Sequence, residues 1–166
     1  MISLRLSLMI LFILTGLFIG QALFYFNGLP DQIASHFDGA GRPDAWMTKH
    51  GFFLFEFFLI SVLLIQFLGV PWLVARLPQR WINLPNRDYW FSEDRRNETL
   101  KSIKVFFEWF SVMLLAMFIA VNQLVFEANM SGRGLWSTGI WTILFAYLLA
   151  AGFWILFFLR RFRLPG

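Results

Sequence analysis

The sequence predicts an all-α integral membrane protein, a four-helix bundle with both termini on the cytoplasmic side. Three observations predict it. The 166 residues are 58% hydrophobic and only 14% charged, against about 45–50% and about 25% in an ordinary soluble domain. Four apolar runs reach the roughly 17–25 residues that cross about 30 Å of hydrocarbon as helix. The charges collect in short stretches between those runs. One domain of this size has too little interior to hide so much apolar surface, so lipid is the solvent the chain requires.

The first run covers 6–26. Arg5 and the small residues around Gln21 resemble a cleavable signal, but the run continues to Phe26 at spanning length and is read as a retained helix. The second covers 51–75 and holds Glu56, Gln66 and Pro71. The third is apolar over 105–126, with Glu108, Asn122 and Gln123 inside it. Ser92, Glu93 and Asp94 look like a helix start, a capping hydroxyl with two acids against the positive helix end. That extends the third helix to 93–126, with Glu98 and Lys101 as a supporting pair on its surface. The fourth covers 138–159. Runs of this kind must be helical, because an open strand would leave its peptide groups unpaired in lipid. Gly16, Gly20, Gly69 and Gly152 are expected where helices approach closely, and Gln66 as a hydrogen bond between helices.

Orientation follows from the lysines and arginines. Eleven lie at the N-terminus, in the loop 76–104 and in the C-terminal tail, while three (Arg42, Lys49 and Arg133) lie in the segments 27–50 and 127–137. The positive-inside rule places the first group in the cytoplasm. Trp72, Trp81, Trp90 and Trp109 flank the inner interface, and Trp46, Trp136 and Trp141 the outer one, as an aromatic belt does. The net charge of +4 therefore answers to membrane lipids and gives no reason to invoke nucleic acid. With no cysteine in the chain, disulfides, thiolate metal sites and cysteine nucleophiles are excluded. The sequence reads as one domain without repeats.

The loop 27–50 carries the most information. Its glycines and prolines set a defined path, and Leu29, Ile33, Phe37 and Trp46 are expected to pack on the helix tops. His36, Asp38, Asp44, Lys49 and His50 are polar residues that such a path can bring together. Below them, Glu56 lies about one turn into the second helix, with Gln21, Asn122 and Gln123 at similar depth. With Lys49 and His36 these define a polar pocket under the loop, the best candidate site in the chain. Glu108 sits in the opposite leaflet, so the two acids do not form one carboxylate pair. The competing reading is a hydrogen-bonded cluster that holds the helices together. On the cytoplasmic side Arg80, Arg87, Trp90, Arg95 and Arg96 form a surface for lipid headgroups or a partner.

Leu-Pro-x-x-Ile-x-x-His-Phe followed by Gly-x-Pro-Asp-x-Trp-x-x-Lys resembles domain-of-unknown-function family 1648. Leu29, Pro30, Ile33, His36, Phe37, Gly41, Pro43, Asp44, Trp46 and Lys49 carry the likeness. The family often has a proline after the isoleucine, where this chain has Ala34. The run 83–90, Asn-Leu-Pro-Asn-Arg-Asp-Tyr-Trp, also resembles its short, stand-alone members. The domain is shared with the N-terminal part of SdpI-like immunity and signalling proteins. The resemblance implies a multi-pass protein of the bacterial inner membrane with a role in toxin resistance or envelope signalling. It supplies no catalytic residues.

Three readings of function follow. The first is a non-enzymatic accessory, immunity-type or sensing module that binds a membrane protein, a peptide or lipid through its outer loop, without a cofactor. The second is a small transporter or lipid-handling protein built on Glu56 and the outer polar cluster. The third is a membrane metalloenzyme using His36, Asp38 and His50, the minimum donor set for such a site. No phosphate loop, nucleophile elbow or metalloprotease helix is present.

Overall fold

The computed structural model describes residues 4–164. In chain order the elements are α1 (Leu4–Phe26), β1 (Gln32–Phe37), β2 (Pro43–Thr48), α2 (Lys49–Arg76), a 3-10 turn (Gln79–Trp81), the short α3 (Arg87–Trp90), α4 (Arg96–Ser131) and α5 (Ser137–Arg161). Among the described residues α1, α2, α4 and α5 are long and apolar enough to cross a membrane. This is a multi-pass membrane protein. The side chain of Arg5, counted above for orientation, lies outside the described residues.

α4 is the hub, with α1, α2 and α5 each packed against it. Its 36 residues make it about 54 Å long, well beyond the hydrocarbon thickness. The excess lies at its start, where Arg96, Lys101 and Lys104 occupy the first turns. Three apolar cores follow its length. One joins Ala22, Leu29, Ile33, Phe52, Phe53 and Phe126 at the hairpin end. Another joins Leu11, Phe18, Ile60, Val112 and Leu115 near the middle. The third lies at the start of α4, around Ile103 and Phe162.

The ends of the helices follow local chemistry. Thr48 caps α2 by accepting a hydrogen bond from the Gly51 N–H at 3.2 Å. α2 stops at Leu77, held in an extended conformation before Pro78, as the steric demand of a proline ring requires. Pro71 is buried within α2, a position that membrane helices tolerate. α4 ends at Gly132, whose left-handed backbone (φ 66°) lets its N–H reach the Ala128 carbonyl at 2.9 Å.

The loop after α1 is more regular than expected. It is an antiparallel β-hairpin pairing Ile33 with Met47 and Ala34 with Trp46, with irregularities on either side of His36. Leu29 and Ile33 pack into the core as expected and Phe37 is half-buried, but Trp46 stands 56% exposed.

Several other expectations are corrected. α4 begins at Arg96 rather than Glu93. The Ser92 hydroxyl donates to the Tyr89 carbonyl instead of capping the helix, and Glu98 pairs with Arg161 at 2.9 Å instead of Lys101. A Cβ on Gly16, Gly20, Gly69 or Gly152 would meet nothing within 4 Å, so none of them marks a helix contact within the chain. Gln66 is exposed on α2 and bonds no neighbouring helix. Trp109 is partly buried against the middle core.

Candidate functional site

The expected polar pocket does not assemble. Its residues separate into four places, and Asn122 and Gln123 part company because successive residues of a helix point about 100° apart. Asn122 faces α2, where its Nδ2 donates to the Glu56 carboxylate at 2.9 Å; Glu56 is only 9% exposed. Gln123 faces α1, accepting from Gln21 at 2.9 Å and donating to the Tyr25 hydroxyl at 2.6 Å and to Glu127 at 2.7 Å. Lys49 is tucked under the hairpin, with its Nζ donating to the Leu29 carbonyl at 3.0 Å, 3.6 Å from Asp31 and above the Phe26 ring. His36 is out on the hairpin, its Nδ1 hydrogen-bonded to the Asp44 carboxylate, with both side chains exposed.

Most of these groups satisfy one another in pairs, although the Gln21 Oε1 has no hydrogen-bond partner among the described residues. Such pairing is the behaviour of structural polar contacts in lipid. Glu108 conforms only in part: its Oε2 accepts from the Ser7 hydroxyl at 2.6 Å, while its buried Oε1 lies 3.9 Å from Lys104 and has no hydrogen-bond partner among the described residues. Glu56 and Glu108 lie on opposite halves of the bundle, as expected, and do not meet.

Asp38 organises the hairpin turn. Its carboxylate accepts from the backbone N–H groups of Ala40 and Arg42, each at 2.9 Å, and from the Arg42 guanidinium at 2.8 Å. The Arg42 backbone bond is the main influence holding the carboxyl below its ordinary value. Partial desolvation opposes it, and the Arg42 side chain and the Ala40 N–H reinforce it. With Asp38 so engaged and His50 set edge-on against Phe26, the donor set of the metalloenzyme reading is dispersed. No three His, Asp or Glu side chains among the described residues converge on a point that could hold an ion.

The hairpin is fastened from two sides. Asn129 of α4 clasps β1 as a neighbouring strand would: its Oδ1 accepts from the Ala34 N–H at 2.7 Å and its Nδ2 donates to the Ala34 carbonyl at 3.1 Å. At the turn, the Leu135 N–H donates to the Gly41 carbonyl at 2.8 Å. Gly41 and Gly134 both have left-handed backbones (φ 81° and 80°), and a Cβ on Gly41 would collide with the Leu135 carbonyl. Only glycine fits this approach.

Sequence reasoning missed Asn129. The available signal was that Asn122, Gln123, Glu127 and Asn129 cluster in the last third of an otherwise apolar helix. β2, by contrast, is exposed along nearly its whole length. Beside Trp46 an open notch of about 200 Å³ lies between the hairpin and the end of α4, lined by Pro30, Phe37, Pro43, Trp46, Asn129 and Gly134 among others.

The opposite end of the molecule is built from arginines that hold the loop together. Arg96 donates to the Ala75 carbonyl at 2.7 Å, and Arg95 stacks on Tyr89 and donates to the Ser92 hydroxyl at 3.1 Å. Arg87 reaches Asp88 and the Arg80 carbonyl. The Trp90 indole donates to the Phe162 carbonyl at 2.8 Å while Arg161 lies over its ring. Arg80 is exposed and its guanidinium has no protein partner among the described residues.

No curated protein and no solved structure matches this chain. The run 83–90 lies outside the one segment that a family model recognises. That segment, residues 10–60, matches the model of the family described as Domain of unknown function (DUF1648), so the resemblance read from the hairpin holds over α1, the hairpin and the first turns of α2.

Proposed function

We propose that this protein is a non-enzymatic accessory or immunity-type module of the bacterial inner membrane, which presents its β-hairpin outside the cytoplasm to bind a peptide or protein partner. One observation carries the reading: the hairpin is fixed through its own peptide groups, yet it displays an exposed strand, Trp46 and a notch lined by both apolar and polar groups. A recognition surface needs that combination, because rigidity removes the entropy cost of ordering a loop on binding and tryptophan supplies area for an anchor. The notch has room for one side chain of the partner, with Phe37, Pro43 and Trp46 offering apolar contact and Gln32 and Asn129 polar contact. It is smaller than the roughly 300–1,000 Å³ of sites that enclose a small-molecule ligand. The lysine and arginine asymmetry supports the outward placement of the hairpin, and the DUF1648 match, which includes the hairpin, supports its being the shared element.

The test uses a photo-reactive amino acid at position 46 in living cells, with position 149 on the exposed face of α5 as reference. The expected result is a discrete protein adduct at 46 that is absent at 149 and is lost when His36 or Asp44 is replaced by alanine. Equal labelling at 46 and 149, or an adduct indifferent to His36 and Asp44, would overturn the reading. The transporter reading gains no comparable support, since Glu56 is engaged by Asn122 and borders neither the notch nor the small apolar void between α2 and α4.

A further inference from the structure

Gln66 stands near the middle of α2, about 25 Å along a helix of about 42 Å, in the stretch that lies among acyl chains. Its side chain is exposed and has no hydrogen-bond partner among the described residues. Lipid tails offer a primary amide nothing to bond, so an amide at this depth calls for a partner from outside the chain. The other amides of the spans are engaged: Gln21 with Gln123 and Ile119, Asn122 with Glu56.

The surroundings of Gln66 are those of a helix seam. Phe55, Leu59, Val62, Gln66, Gly69 and Leu73 follow one another at alternating steps of four and three residues, the spacing that keeps one stripe facing a partner helix in a left-handed pair. Phe55, Val62 and Leu73 are 52%, 41% and 48% exposed. The space over Gly69 is open, leaving a flat place one turn from the amide where a second backbone can come close. The stripe carries no charge.

We propose that α2 is the seam of a homodimer in which the Gln66 amides of two copies hydrogen-bond each other across a twofold axis. The occupant is a second copy because the requirement is self-complementary. A primary amide is at once donor and acceptor, a twofold axis sets the same stripe against itself, and an isologous pair is the commonest closed assembly. A polar residue at one position of an apolar seam also fixes register, since any slip leaves both amides unpaired. The inference stands independently of the hairpin's proposed role.

The chain has no cysteine, so single-cysteine variants report geometry without background. Val62→Cys lies on the stripe, whereas Ser61→Cys is exposed on α2 but rotated about 100° away. Mild oxidation of native membranes is expected to link two copies through position 62, with about tenfold less product at 61. Adding Gln66→Leu to Val62→Cys should lower the dimer yield about fivefold or more, and Gln66→Asn should retain part of it. Because leucine suits lipid better than glutamine, the loss could not be assigned to failed insertion. Equal yields at 61 and 62, no product at 62, linkage at 62 to a different protein, or dimerisation indifferent to Gln66→Leu would each overturn the proposal.

Discussion

At the hairpin end the hairpin is held by its own peptide groups: Gly41 bonded to the Leu135 backbone, and Ala34 clasped by the Asn129 side chain. At the basic end the fastening is done by a buried cluster of side chains, Ile82, Leu84, Phe91, Ile103 and Phe162, with Asn86 and Trp90 both donating to the Phe162 carbonyl. The difference has a physical source. The hairpin is short and gives its apolar side chains to the helix tops, so its outer parts can be held only by peptide groups. The basic end has a long loop and the protruding turns of α4, enough to enclose a small core of its own. One end is thereby left with a bare, rigid strand, and the other with a closed cap.

The largest single effect comes from emptying the small core. Phe162 is fully buried at the junction of α5 and the loop. Phe162→Ala should cost about 3–5 kcal/mol and release the C-terminal end of α5, measured as unfolding in mixed micelles and as new protease sensitivity in 76–95. A cost below about 1 kcal/mol, outside the usual range for an emptied core site, would mean that this cluster does not fasten the end.

At the hairpin end the corresponding effects are smaller and confined. Gly41→Ala introduces a Cβ where the backbone is left-handed and the Leu135 carbonyl is in the way, and should cost about 2–3 kcal/mol. Asn129→Leu removes the clasp and leaves the Ala34 N–H and carbonyl without their partner, about 1–3 kcal/mol. In both variants the expected readout is faster hydrogen exchange along β1, with the basic-end core still protected. If exchange instead quickened equally at both ends, the two fastenings would be one cooperative unit and the comparison would fail.

The two ends also differ in how far they could be read from sequence. The four spans were legible because length and composition alone decide them, and each helix lies within a few residues of its expected place. The hairpin was legible only as an ordered loop. Its irregular pairing at His36 breaks the alternation that marks a strand, and β2 is exposed on nearly all its residues, so no buried face shows. Which face of each helix looks inward was not legible, since α1 and α2 are apolar all round and a lipid-facing residue looks like a core residue. That is why Gly16, Gly20 and Gln66 were expected at contacts they do not make, and why Asn122 and Gln123 were expected in one pocket. Ser92 failed as a cap for a different reason: the loop before α4 turns once more, through α3, and uses that hydroxyl on the Tyr89 carbonyl.

The finest test concerns the hairpin turn, where Asp38 alone ties together the N–H groups of Ala40 and Arg42 and the Arg42 side chain. A carboxyl whose pKa is lower folded than unfolded adds stability above the unfolded value and loses it as pH falls through the folded one. For Asp38 the support is therefore intact at neutral pH, and it is lost only as pH drops below the ordinary carboxylate value of 3.8. The group lies in a solvent-facing turn and is screened by water, so the effect should be local, without measurable loss of global stability. The amide resonances of Ala40 and Arg42 are expected to move together in a step centred below 3.8, and Asp38→Asn should abolish the step while Asp44→Asn leaves it in place. A step at or above the ordinary value, or one that persists in Asp38→Asn, would show that the turn is held by its backbone bonds and not by the Asp38 carboxylate. The Asn129 clasp would then remain as a side-chain fastening of the hairpin.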